Sequence, residues 1–271
     1  MLLIPLIFIL LALDLSPASK PPVRLKSNPN LSVAEMGQWR ALLKGVEFRK
    51  LTLERSEPYQ LIDLKMLRFD TRWVVPRIMP TLRYNLKAAD VKTLAEMSGA
   101  VAVINANYFD EKGKPLGFLK VAADEINPRV SKSSLFTGIF GIKDRLPFIT
   151  HRDQFLSQQA DEGLQAGPLL LLQGSPLTIN RGAGKQSRRS LIGLDKDQRL
   201  IVAVTDSLLG GLNWAELQEI FASDALQVRA TDLLNLDGGG SAQLYMKILQ
   251  LEQYVAGTAE VPVAVGFFIR Q

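Results

Sequence analysis

The stretch Leu233-Leu234-Asn235-Leu236-Asp237-Gly238-Gly239-Gly240-Ser241 most restricts how this chain can fold. An apolar run that closes on a carboxylate and opens into three glycines reads as a strand delivering Asp237 to a loop of bare backbone. Glycine tolerates positive φ and lets other atoms approach its peptide plane, so the N–H groups of Gly238, Gly239 and Gly240 can form a concave anion site with Asp237 at its rim. The same residues also suit a plain turn between strands. The loop alone does not separate the two readings.

Elsewhere the chain mixes strands with two clear helices. Phe48 to Leu53 and Leu61 to Phe69 alternate well enough to read as an antiparallel pair turning at Glu57-Pro58. Lys87 to Ser98 has helical spacing and Gly99 stops it, after which Val101 to Ile104 runs as a buried strand into Asn105. Leu169 to Leu172 is a further strand. Leu191 to Leu194 and Leu200 to Thr205 form a hairpin around Lys196-Asp197-Gln198, which Asp206 ends. Asn213 caps a helix and Glu216, three residues on, completes a capping box. Leu244 to Met246 and Val261 to Phe268 close the chain as β, with an exposed turn or loop between them. The expected class is α+β, a mixed and largely antiparallel sheet flanked by helices in a single domain.

Residues 45–271 are expected to fold, residues 19–44 to form a Pro-, Ser- and Asn-rich tether, and residues 1–18 to be a signal peptide or an N-terminal anchor. Leu2 to Leu13 is apolar, too short for a comfortable membrane span of about 20 residues, and is followed by Ser16-Pro17-Ala18. The expected location is therefore exported, in the periplasm, envelope or exterior, with membrane association through the N-terminal segment as the alternative. With no cysteine, an exported chain would hold together without disulfides, and 271 residues give enough core for that. The net charge of +5 favours anionic partners. No aromatic-interleaved basic stripe is present, so nucleic acid is not an expected partner.

A single histidine and no cysteine remove several chemistries. Nucleophilic triads and thiol chemistry would need His151, which has no Gly-x-Ser-x-Gly elbow to serve. Zinc sites of the usual ligands are excluded likewise. The triple glycine is neither a Walker loop nor a dinucleotide turn. Carboxylate, amide and arginine chemistry remains. Asp110, Asp206 and Asp237 each close an apolar run, with Asn105, Asn107 and Asn235 beside two of them. Paired carboxylates are what hydrolysis of a glycosidic bond requires. An aspartate at a strand end is also a common turn-former. Asp237, Asp206 and Asn235 are oxygen ligands of the kind Ca²⁺ or Mg²⁺ accepts, but no spacing demands a metal and no cofactor is expected.

The ordered set Ala102-Val103-Ile104-Asn105-Ala106-Asn107-Tyr108-Phe109, Gly113-Lys114-Pro115-Leu116-Gly117, Gln165-Ala166-Gly167-Pro168-Leu169-Leu170, Arg189-Ser190-Leu191-Ile192-Gly193 and Asn235-Leu236-Asp237-Gly238-Gly239-Gly240-Ser241 resembles the phosphodiester glycosidase family. The resemblance runs from about Gly45 to the C-terminus. It implies cleavage between the anomeric carbon of a sugar and a phosphodiester oxygen of a phosphorylated or anionic glycan, and bacterial members are linked to exopolysaccharide. By this resemblance Asp237 stabilises or attacks the oxocarbenium centre, with Asp206 or Asp110 as partner. Arg189 and the Gly238 to Gly240 amides would hold the phosphate. Asn105 and Asn107 would bind sugar hydroxyls, Tyr108 or Phe109 would stack on the ring, and Gln165, Asn235 and Ser241 would complete the substrate site. Many members read Asn-Gly-Gly-Phe-Phe where this chain has Asn105 to Phe109, so its sugar pocket is expected to differ. The alternative is a non-catalytic anionic-glycan or envelope-binding protein.

Overall fold

Side-chain alternation along extended segments sets the architecture. In the hairpin Ser190–Asp195 and Leu200–Asp206, Ile192, Leu194, Val202 and Val204 enter one core, while Leu191, Ile201 and Ala203 enter another on the opposite face. A sheet apolar on both faces needs cover on both. The computed structural model, which describes residues 23–270 apart from 123, 181 and 183, shows how that cover is supplied. The signal or anchor segment expected over residues 1–18 lies outside the described residues.

The main sheet has nine strands. Its spatial order is Leu31–Met36, Val46–Ser56, Tyr59–Phe69, Leu200–Asp206, Ser190–Asp195, Ala230–Asn235, Leu169–Leu172 and Ser175–Pro176, with Arg40–Leu43 also paired to Val46–Ser56. A five-stranded sheet runs Leu146–His151, Gly138–Lys143, Glu162–Ala166, Leu119–Val121 and Asp124–Asn127. Another five-stranded sheet runs Leu251–Val255, Leu244–Ile248, Ala102–Asn105, Val263–Ile269 and Val74–Pro80. The strand pairs within these sheets are antiparallel. One core is shared among all three sheets, with Ile192 and Leu234 from the first, Phe140 and Leu164 from the second, and Ile104 and Phe267 from the third.

This corrects the expected fold class. The described residues are 47% strand and 12% helix with two α-helices, a mainly β fold rather than a helix-flanked sheet. The physical reason is that only two segments carry helical periodicity, so sheet faces must be buried chiefly against other sheets. The two helices cover what remains. The helix Val91–Ser98 lays Val91, Leu94 and Ala95 on Val103, Tyr245 and Ala264, and Gly99 ends it at φ 75°. The helix Trp214–Ala222 packs Leu217, Ile220 and Phe221 onto the outer face of the main sheet. Its expected capping box forms: the Glu216 N–H donates to Asn213 Oδ1 at 3.0 Å and the Asn213 N–H to Glu216 Oε2 at 2.8 Å.

Two further expectations change. Residues 31–43, read as part of a tether, form two strands against Val46–Ser56, and Leu31 is fully buried. The polar segment after Met246 contains the strand Leu251–Val255, paired to Leu244–Ile248, because ladder bonds can hold a strand whose exposed face is polar.

Glu216 does more than cap. Arg55, at the end of the long strand Val46–Ser56, donates to it at 2.9 Å, and both side chains are almost wholly buried. Taking one member of such a pair away leaves the other charge in a dry place. Arg55→Met is expected to lower the unfolding free energy by about 3–5 kcal/mol. The double variant R55M/E216L should recover part of that loss. Urea denaturation of the three proteins checks both.

Candidate active site

The site begins where the strand Ala102–Asn105 ends against the main sheet. Asn105 is fully buried, and its amide joins three segments. Its Nδ2 donates to the Asp237 carbonyl at 2.7 Å, while its Oδ1 accepts from Ser190 Oγ at 2.6 Å and from the Gln243 N–H at 3.1 Å. The Asp237 N–H in turn donates to the Ala106 carbonyl at 2.9 Å. These bonds bring the loop 105–110 and the loop 236–241 together. They also correct the role expected for Asn105. Its polar atoms are spent within the protein, so it positions Asp237 instead of binding a sugar hydroxyl.

Asp237 has one carboxylate bond from the adjacent Gly238 N–H at 2.9 Å and one from the Ser241 hydroxyl. Burial outweighs both and pushes its pKa up to about 6. The three glycines serve packing as much as binding. A side chain at Gly238 would strike the Arg188 carbonyl, and Gly239 sits at φ 59°. The Gly238 N–H goes to Asp237 and the Gly239 N–H to the Arg188 carbonyl at 2.9 Å. Of the three donors expected to face an anion, the Gly240 N–H is the one without a protein acceptor among the described residues.

Tyr108 lies between the two charges of the site. Its hydroxyl donates to the Gly167 carbonyl at 2.9 Å and accepts from Asn235 Nδ2 at 3.0 Å, and its ring packs on Phe136. Burial first, and then the Asp237 charge, raise the phenol's pKa, while Arg189 acts in the opposite direction. The phenol is thus a protonated, fixed hydroxyl within electrostatic reach of both. Arg189 is 6% exposed, lies 3.5 Å over the Trp214 ring, and donates through Nε to the Leu212 carbonyl at 2.9 Å and through Nη2 to the Lys185 carbonyl. Burial pushes its pKa down to about 10, which leaves it charged at neutral pH. It has no ion-paired carboxylate among the described residues. A buried guanidinium satisfied only by carbonyls and an aromatic face keeps its charge available to an anion.

The amides on either side complete the cluster. Asn107 donates to the Tyr108 carbonyl, and Asn235 donates to the Gly167 carbonyl at 2.9 Å. The Oδ1 atoms of both are buried without a donor among the described residues. The segment Gly167-Pro168 leads directly into a cleft of about 390 Å³ lined by Pro168, Leu169, Thr137, His151, Thr178 and Asn180.

Three expected site residues stand apart. Asp206 pairs with Lys65 at 2.9 Å, in a charged hollow with Asp63 and Glu35. Asp110 accepts the backbone N–H groups of Lys112 and Lys114 at 2.9 and 2.8 Å, so it holds a turn. Each is thus engaged by neighbours of its own, Asp206 by a cation and Asp110 by backbone donors. Among the described residues no three His, Cys, Asp or Glu side chains gather as metal ligands. Gln165 is buried and spends all its amide capacity on Phe118, Ser131 and Phe136, binding the 131–136 loop to its strand. Sequence reasoning overlooked Ser190 and Trp214 as members of the site. Ser190 was visible beside Arg189, and Trp214 as a large aromatic immediately after the helix cap Asn213.

The family model for phosphodiester glycosidases matches residues 98–270. The fold is similar to the catalytic domain of zebrafish N-acetylglucosamine-1-phosphodiester alpha-N-acetylglucosaminidase, auto-inhibited by its pro-peptide, at 15% identity and a TM-score of 0.63, covering 89% of each chain. It is also similar to a hypothetical protein from Synechocystis at 15% identity and a TM-score of 0.61, covering 88% of this chain and 64% of that one. No curated protein matches the sequence.

The raised Asp237 pKa carries a stability consequence. The folded state holds this proton more tightly than the unfolded chain, whose carboxyl titrates near 3.8. Stability is therefore lost as pH rises from about 3.8 to about 6, and the full cost persists above that range. Asp237→Asn removes the charge and keeps the shape. The variant is expected to be more stable than the parent at pH 7.5, by about 1–3 kcal/mol, with the difference vanishing below pH 4. Thermal melts across that range measure it.

Proposed function

The chain belongs to the phosphodiester glycosidase family of hydrolases, and from that premise we propose that it cleaves a sugar-1-phosphodiester at the bond between the anomeric carbon and the phosphate oxygen. Water supplies the hydroxyl of the released sugar, and the other product is a phosphomonoester. The observation that carries this reading is the pairing of a half-buried carboxylate titrating near 6 with a buried guanidinium that forms no ion pair among the described residues, where Glu216 is a more distant charge, both acting on the Tyr108 hydroxyl.

A phosphate leaves without much protonation, so a single carboxylate can be enough where cations receive the phosphate. Asp237, ionised above pH 6, stabilises positive charge developing at the anomeric carbon. Arg189 and the Gly240 N–H take the negative charge gathering on the phosphate. The substrate is a phosphorylated glycan, and the N-terminal apolar run followed by small residues supports action outside the cytoplasm, in an envelope or extracellular glycan.

Incubating the full chain with a panel of sugar-1-phosphodiesters is expected to release reducing sugar and phosphomonoester in equal amounts. Asp237→Asn should lower kcat by about 10³-fold or more while the protein stays folded. In the parent, kcat should climb as pH rises through about 6, following Asp237 ionisation. Undiminished turnover in the variant would remove Asp237 from the mechanism.

A further inference from the structure

A cleft of about 780 Å³ adjoins the catalytic loops without containing Asp237. It shares their backbone: the Ala106 N–H donates to the Val263 carbonyl at 3.2 Å, and the Leu116 N–H to the Tyr108 carbonyl at 3.0 Å. Its apolar surface includes Leu82, Pro115 and Ile126, and its rim carries Lys87, Lys112 and Lys114. No aspartate or glutamate lines it. Leu82 is 72% exposed and Ile126 44%, so apolar surface stands open beside ammonium groups.

The walls are held in place. Asn127 Nδ2 donates to the Pro115 and Gly117 carbonyls, each at 2.9 Å, and fixes one side. Asp124 and Glu125 face other cations, while Asp110 lies within electrostatic reach of Lys112 and Lys114 without forming an ion pair with either. Asp110 takes the backbone N–H groups of Lys112 and Lys114, Asp124 faces Arg83 at 3.7 Å, and Glu125 faces Lys120 at 4.0 Å. Lys87, Lys112 and Lys114 are left without an ion-pair partner among the described residues. Three like charges gathered around an apolar surface repel one another, and a ligand bringing a negative head and an apolar chain answers both features. The volume lies within the usual range for small-molecule sites.

We propose that this cleft binds an anionic amphiphile, its chain laid on Leu82, Pro115 and Ile126 and its phosphate or carboxylate head among the three lysines. The site stands on this geometry and does not require the reaction assigned to Asp237.

Calorimetric titration of the full chain with dodecyl phosphate, kept below its micelle concentration, tests it. The expected result is saturable binding of one molecule per chain, with dodecyl maltoside and butyl phosphate each at least tenfold weaker. The double variant K112E/K114E, its fold checked by circular dichroism, should lose at least tenfold in affinity. Ile126→Asp should lose a similar factor for dodecyl phosphate while leaving butyl phosphate unchanged. Asp237→Asn should bind dodecyl phosphate within twofold of the parent, so failure of the reaction and failure of this site read out separately. Equal binding of dodecyl maltoside, or unaltered affinity in K112E/K114E, would overturn the proposal. Association with phosphatidylglycerol vesicles but not with monomeric dodecyl phosphate would also overturn it, in favour of a membrane-facing surface.

Discussion

The buried amide of Asn105 is the contact on which the active-site geometry depends. It sits at the end of a strand of one sheet, yet it bonds Ser190 of the main sheet and the carbonyl of Asp237 beyond that sheet's strand Ala230–Asn235. A wholly buried amide whose oxygen and nitrogen both have partners holds them in one arrangement, because displacement leaves donors and acceptors unpaired. Together with the Asp237 N–H bond to the Ala106 carbonyl and the Arg188 bonds to the Ala242 and Ala256 carbonyls, it fixes the two sheets in register at their ends. The loops carrying Tyr108 and Asp237 inherit that alignment.

Three aspartates at strand ends show how environment separates identical side chains. Asp110 is turned to the backbone N–H groups of its own loop, and those bonds lower its pKa. Asp206 lies beside Lys65 at a partly exposed strand end. Asp237 receives two short-range bonds but is buried far enough that its pKa rises. Asp237 is thereby poised to change charge near neutrality, the condition under which a carboxylate contributes most to catalysis. The same burial weakens the folded state above pH 6, so the functional group is a local cost that the three-sheet core and the Arg55–Glu216 pair offset.

Much of the local structure was legible in the residues. Asn213 and Glu216 announced a helix start, Gly99 a helix stop, and the run from Leu191 to Thr205 a hairpin with its turn at Lys196-Asp197-Gln198, and each signal is local in physical origin. The segment 31–43 was not legible, since its Pro- and Asn-rich approach resembles a linker and its strands exist only through pairing with Val46–Ser56. Gln165 was misread for a related reason: a glutamine that closes a loop has the same composition as one that meets a ligand. The fold class failed at the level of layers. Period-2 patterns identify strands but do not say whether a helix or another sheet covers their faces.

The sequence by itself determined that the chemistry rests on carboxylate, amide and arginine groups, because the lone histidine and absent cysteine leave little else. It also determined that Asp237 emerges from a strand into a loop where glycine is required. Tertiary structure alone decided which acid is buried with a raised pKa and which residues hold it in place. Burial, charge separation and hydrogen-bond completion are properties of segments meeting from distant parts of the chain: Asn105 with Asp237, Tyr108 with Asn235, Arg189 with Trp214. None of these contacts is between sequence neighbours, and so none is encoded in any local pattern.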